Sequence, residues 1–276
     1  AFRLGEEGAV EKMLSLALKP DELAPPIARA TALSELGSAG IAQAYPTARK
    51  ILDNAEEHPI VRAAAINLFM SLPQVDPREG GNIVRKALFR HIDDPSRLVR
   101  TEAIRVLVSS GAYQSLTDSE RSRVDLAIDE VRDALMVASD RSGAHMGWAM
   151  LCEARGLSGE AKQAYETAMK VEPLTTGPRS NLAALLESEA RNFAPAQAQQ
   201  MMLRAKQLRA EELPLLARDA SLAPSNAFLQ FRYGLALYLN GDMEAALKQL
   251  KLAVDLAPEV EDFRIARDEL EEMISQ

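Results

Sequence analysis

The chain reads as an all-α protein, a right-handed α-α superhelix of stacked helix pairs, and three observations carry that expectation. Ala, Leu, Glu, Arg and Gln recur at helical spacing along its 276 residues, while aromatics make up 5% and β-branched residues form no alternating runs. Apolar stripes then repeat at offsets of 33 and 38 residues, counted from Arg29 to Arg62 to Arg100. Finally, prolines fall between the stripes, where a helix must stop. A helix pair that cannot bury its own apolar face has to stack on neighbours, so repetition of this kind predicts a solenoid. An apolar share of 47% is ample for its core.

In the first half, Arg29-Ala-Thr-Ala32-Leu33-Ser-Glu-Leu36, Arg62-Ala-Ala-Ala65-Ile66-Asn-Leu-Phe69 and Arg100-Thr-Glu-Ala103-Ile104-Arg-Val-Leu107 align. Each has a small residue at +3, an aliphatic one at +4 and a large apolar one at +7, which makes one helical stripe. Turns at Pro25-Pro26, His58-Pro59 and Asp94-Pro95 precede the stripes, and helices over residues 47–56 and 81–91 precede the second and third turns. The unit is helix, proline turn, helix.

These units resemble HEAT repeats, whose inner helix often opens with Val-Arg after an Asp-Pro turn, as Asp94-Pro95 leads here to Val99-Arg100. The resemblance implies an arginine ladder to turn carboxylates such as Asp93 or Asp94, a structural device rather than an anion-binding row. HEAT-like repeats are therefore expected over residues 1–114.

The pattern changes near Ser115. Thr117 with Glu120 at +3 is a capping box, and it opens a long helix from Ser119 to about Ser139 with apolar Val124, Ile128, Val131, Leu135 and Met136. Residues 115–141 are expected to bridge two repeat arrays.

Residues 142–258 carry a second kind of repeat. Its last copy has Gln230, Tyr233-Gly234, Leu237, Ala246, Leu250, Ala253 and Pro258, and its first has His145, Trp148, Ala149, Cys152, Ala161, Tyr165, Ala168 and Pro173 in the same register. This spacing resembles the tetratricopeptide repeat, in which a small residue lets two antiparallel helices approach and proline ends the second. Pro173 and Pro258 are 85 residues apart, two periods of 34 plus 17, so a middle repeat with an insertion is expected. Its first helix would pack through Leu182, Ala183 and Leu186 and its second through Ala198, Met202 and Ala205. The extra residues before Pro224 would form either a helix extension bent at Pro214 or a separate short helix. Residues 259–276 should form an acidic capping helix.

The order of the two repeat types resembles the C-terminal region of bacterial multihaem cytochrome c-like proteins. The residues that carry this are Arg29-Ala30-Thr31-Ala32-Leu33, Asp94-Pro95 with Val99-Arg100, Leu116 to Arg121, and the repeat beginning near Ala144-His145. There is no Cys-x-x-Cys-His, so no c-type haem can be held covalently by this chain. The resemblance implies the docking arm of an exported redox protein, periplasmic or exported, and otherwise the chain would be cytoplasmic. An opening on Ala1-Phe2 without methionine suggests a fragment or processed product.

Thirty-two basic against forty acidic residues leave a formal charge of -8, which disfavours a nucleic-acid backbone or anionic membrane as general partner. No run reaches the roughly 18 apolar residues of a spanning helix. Single Cys152 sits in a packing slot, and no intramolecular disulfide is available. His58, His91 and His145 lack His-x-x-x-His spacing, and His58 and His91 beside turns are expected to face solvent. Gly5-Glu-Glu-Gly8 and Gly80-Gly81 lack the rest of a phosphate loop. Neither a metal, a cofactor nor catalytic residues are therefore expected.

The remaining reading is a non-enzymatic scaffold for a protein or peptide. The helix face not used for packing between helices carries Phe228, Phe231, Leu235 and Tyr238 in the last repeat and Met146, Met150 and Glu153 in the first. These are the expected partner-binding residues, in a groove either open or filled by the capping helix or by the insertion near Leu215-Leu216. That groove is expected to lack the Lys/Asn/Arg cluster with which the chaperone-binding subclass of tetratricopeptide proteins clamps a terminal carboxylate. Rival readings are a cytochrome-maturation scaffold holding an unfolded client and a HEAT-containing tetrapyrrole lyase subunit. Oligomeric state is left open.

Overall fold

The computed structural model describes residues 8–36 and 41–275. Ala1-Phe2, and Gly5 of the Gly5 to Gly8 segment, lie outside the described residues. Every regular element among them is a helix: α1 Ala9–Ala17, α2 Pro26–Leu36, α3 Ile41–Asp53, α4 Pro59–Asn67, α5 Leu72–Val75, α6 Gly80–Leu88, α7 Arg97–Ser109, α8 Asp118–Met136, α9 Ser142–Ala154, α10 Ser158–Val171, α11 Pro178–Ala190, α12 Pro195–Leu222, α13 Ala227–Leu239, α14 Met243–Leu256 and α15 Glu261–Ser275, with short 3-10 turns between several of them. None of these helices is long and apolar enough to cross a membrane.

Local chemistry sets the helix starts. Prolines occupy the first helical position of α4, α11 and α12, where the missing N–H costs nothing. His58 caps α4 through Nδ1, which accepts from Ile60 N at 3.3 Å. The Thr117 box at α8 is closed in both directions: Thr117 N donates to Glu120 Oε2 at 2.8 Å and Glu120 N donates to Thr117 Oγ1 at 3.3 Å. Asn226 and Asp242 cap α13 and α14 by accepting through Oδ1 from Leu229 N at 3.3 Å and Ala245 N at 3.1 Å. Between α13 and α14, Gly241 takes φ of 90°, the left-handed geometry that lets Asp242 N donate to Leu237 O at 3.0 Å.

The chain forms two compact units, Ala1–Ser139 with Met150–Leu157, and Asp140–Ala149 with Ser158–Gln276. In the first, the arginine-bearing helices α2, α4 and α7 pack on one another in sequence, and α7 packs on α8. Arg29 donates to Asp21 at 2.5 Å, to Ala17 O at 3.1 Å and to Glu57. Arg62 donates to both carboxylate oxygens of Asp94, and Arg100 to Glu130 at 2.9 and 2.6 Å and to Asp94 O at 2.7 Å. Each arginine thus reaches a carboxylate about one repeat further along the chain, and Glu57 and Asp94 lie in the turns ahead of α4 and α7. Asp93 pairs instead with Arg123.

His91 departs from the expectation of solvent exposure: it is 5% exposed. Its ring lies between Arg90, whose Nε donates to Nε2 at 3.2 Å, and the Arg62–Asp94 pair, with Nδ1 3.7 Å from Asp94. The turn is thus enclosed by the ladder. Segment 150–157 belongs to this unit through Arg155, whose Nε donates to Asp125 at 2.9 Å beside the Tyr113 hydroxyl, and through Gln114, which donates to Ala154 O.

In the second unit each helix from α10 to α15 packs on the next. Gly234 allows the close approach of α13 to α14, since a Cβ there would lie 3.0 Å from Leu250 and 3.3 Å from Ala246 O. Gln230, buried on α13, donates to Ala220 O and Pro224 O. The insertion is a helix extension: α12 runs unbroken for 28 residues with Pro214 inside. Its buried residues are Ala205, Leu208, Glu212, Leu216 and Ala220, whereas Met202, expected in the packing set, is 48% exposed. The cause is length, because the 13-residue α11 cannot cover a helix more than twice as long.

Candidate functional site

The site grows out of the extension of α12. Glu212 is fully buried, and its carboxylate accepts from Gly177 N and Ser180 N at the start of α11. These are two of the orphan donors that every helix N-terminus presents, and a negative charge there is favoured by the helix dipole. Gly177 adopts φ of 118°, a conformation L side chains rarely take, and a Cβ on it would lie 3.3 Å from the Met146 thioether. The start of α11 is thereby pinned from within its own unit.

Beside this anchor, the first turn of α11, the middle of α12 and the C-terminal half of α13 enclose a cleft of about 200 Å³. Leu216, Leu235, Ala236 and Leu239 form an apolar floor, and Ser180, Asn181, Arg209, Arg232 and Asn240 supply polar groups around it. Arg209 is held bidentately by Glu187 at 2.9 and 2.7 Å, and this guanidinium keeps the Glu187 carboxyl below its usual range. Asn240 donates to Ala236 O at 2.8 Å. Arg232 is exposed and makes no ion pair among the described residues.

The expected partner-binding residues separate into three groups. Phe228, Phe231 and Tyr238 meet the C-terminal helix: Phe231 stacks on Phe263 with centroids 4.4 Å apart, Phe228 meets the same ring edge-on at 5.2 Å, and the Tyr238 hydroxyl lies 3.9 Å from Met273 Sδ. Of the two outcomes left open for this stripe, α15 supplies the filled one at Phe231 and Tyr238, which are half-buried, while Phe228 stays 62% exposed. Leu235 packs on the Leu237, Ala246, Leu250 and Leu270 cluster and also lines the cleft. Met146 lies against Gly177, whereas Met150, half exposed, and Glu153 belong to the other compact unit.

Several site-forming residues were not legible in the sequence. Glu212 looks like one more helical carboxylate, and the available signal was its place between Leu208 and Leu216 at steps of four in an apolar stripe. The polar lining of the cleft was likewise not read from the sequence. Asn181, Arg209, Arg232 and Asn240 come from three helices and converge only on folding.

Chemically the cleft can hold an aliphatic group and hydrogen-bond or ion-pair with its polar edge. His58 is spent on a helix cap and His91 on the ladder. The described residues contain no group of three or more His, Cys, Asp and Glu placed to hold a metal ion. Fold and site together define an all-helical protein of successively packed helices with a side-chain-sized cleft in its second unit. No protein-family model matches the chain, and no curated protein matches it.

Proposed function

We propose that this chain is a non-enzymatic interaction scaffold, a right-handed solenoid of HEAT-like then tetratricopeptide-like helix pairs that grips a segment of a partner protein in its second unit. The observation that supports this most is the cleft over Leu216, Leu235 and Leu239, an apolar floor beside a polar edge in a polypeptide whose helices pack in sequence. Phe228, exposed beside Phe263, extends the apolar surface of α13. The stretches Arg29 to Leu33 and Leu116 to Arg121, which resemble multihaem cytochrome c-like proteins, extend the proposal to the docking arm of an exported redox assembly.

The test is affinity capture from native extract, comparing wild type with Leu235→Lys/Leu239→Lys after matching their thermal stability. Loss of a specific protein by the double variant, with retention by a Leu252→Lys control on α14, is the expected result. Identical retention by all three proteins overturns the assignment of the groove.

A further inference from the structure

We propose that the cleft selects an apolar residue followed by a single carboxylate side chain, the aliphatic group resting on Leu216, Leu235 and Leu239 and the carboxylate meeting Arg232. This rests on the scaffold reading and adds the chemistry of the partner segment.

The size of the cleft comes first. At about 200 Å³ it falls below the roughly 300–1,000 Å³ of pockets that enclose whole small molecules. It has room for an aliphatic side chain, while a cofactor would stand largely outside it. An occupant is then one residue of a longer chain.

Charge decides what accompanies that residue. Three features could attract an anion, and two are already used. The α11 N-terminus has given its Gly177 and Ser180 N–H groups to buried Glu212. Arg209 has given two donors to Glu187. Arg232 keeps its guanidinium without an ion pair among the described residues, on the edge of the same cleft. A fork of donors next to an apolar floor suits a planar carboxylate, which it can bind bidentately. Asn181, half-buried across the cleft, can hydrogen-bond the peptide backbone of the occupant. The net charge of -8 opposes a run of acidic residues, so the complement is one carboxylate and not a polyacidic tract.

The experiment is a 15N NMR titration of the full chain with two probes, N-acetyl-leucyl-glutamate amide and its isostere N-acetyl-leucyl-glutamine amide. For wild type, shifts centred on the amides of Asn181, Leu235, Leu239 and Asn240 are expected, with the glutamate probe binding about three- to tenfold more tightly. Arg232→Gln, a surface change that leaves the fold intact, should remove that preference and keep the weaker binding of the glutamine probe. Equal binding of both probes to wild type, or a preference that survives in Arg232→Gln, overturns the carboxylate assignment while the apolar groove stands. Shifts confined to surfaces outside the cleft, or no shifts with either probe, overturn both.

Discussion

Arg62 shows what a single side chain does here. It is 5% exposed and bound to Asp94, itself buried, whose Oδ1 also accepts from Ser96 N at 2.9 Å ahead of α7. Removing one partner of such a pair leaves an uncompensated buried charge. Arg62→Ala should therefore cost about 3 kcal/mol in urea unfolding, against under about 1 kcal/mol for loss of the exposed Arg90–Asp53 pair by Asp53→Ala. His91, in the same cluster, has its pKa lowered from 6.5, first by burial and then by Arg90 and Arg62, with Asp94 opposing. The folded imidazole takes its proton at lower pH than the unfolded one. Its contribution is thus fully present above about pH 6.5 and is lost as pH falls below that value. Stability measured between pH 7 and 5 should decline in wild type and decline less in His91→Gln; parallel curves would remove His91 from the account. Glu120, lowered to about 2 by Arg85 and by its bonds to Thr117, adds a second loss only between about pH 4.5 and 2.

At the scale of elements, α11 depends on a residue of its neighbour. Glu212→Ala leaves Gly177 N and Ser180 N buried without their acceptor, and a loss of about 3 kcal/mol follows from the usual penalty for such donors. Glu212→Gln keeps one acceptor oxygen and should lose less, a ranking that thermal melts followed by circular dichroism would check. If both variants melt with wild type, the carboxylate is not what anchors α11. The α13–α14 pair makes the opposite demand, for absence of a side chain. Gly234→Val pushes methyl groups against Leu250 and Ala246 O and should destabilise by about 1–3 kcal/mol in the same assay.

For the molecule as a whole, the notable feature is that α9 contributes to both compact units, its residues to Ala149 in one and those from Met150 in the other. Arg155 and Ala154 hold its end to Asp125 and Gln114. In native-state hydrogen exchange under increasing urea, the amides of residues 151–155 should open with α8 and not with α10. Opening with α10 would place the whole helix in the second unit.

Helix positions were legible in the sequence because their causes are local. The turn at Pro59 and the Thr117–Glu120 box act within four residues of where they stand. The arginine period was legible as well, since Arg29, Arg62 and Arg100 occupy equivalent places in similar segments, and Asp94 could be named as a ladder carboxylate. Only the tertiary structure decided which polar groups are buried and where a partner has room. The stripe of Phe231 and Tyr238 could be open or filled until α15 lies against it, and His91 read as a turn residue until Arg62 and Arg90 enclose it. Glu212 and Arg232 are both charged helical residues to the eye. One is buried because it meets the start of α11, and the other stands at a cleft without an ion partner. Burial and pairing depend mostly on residues about 30 positions away, which local pattern and period do not contain.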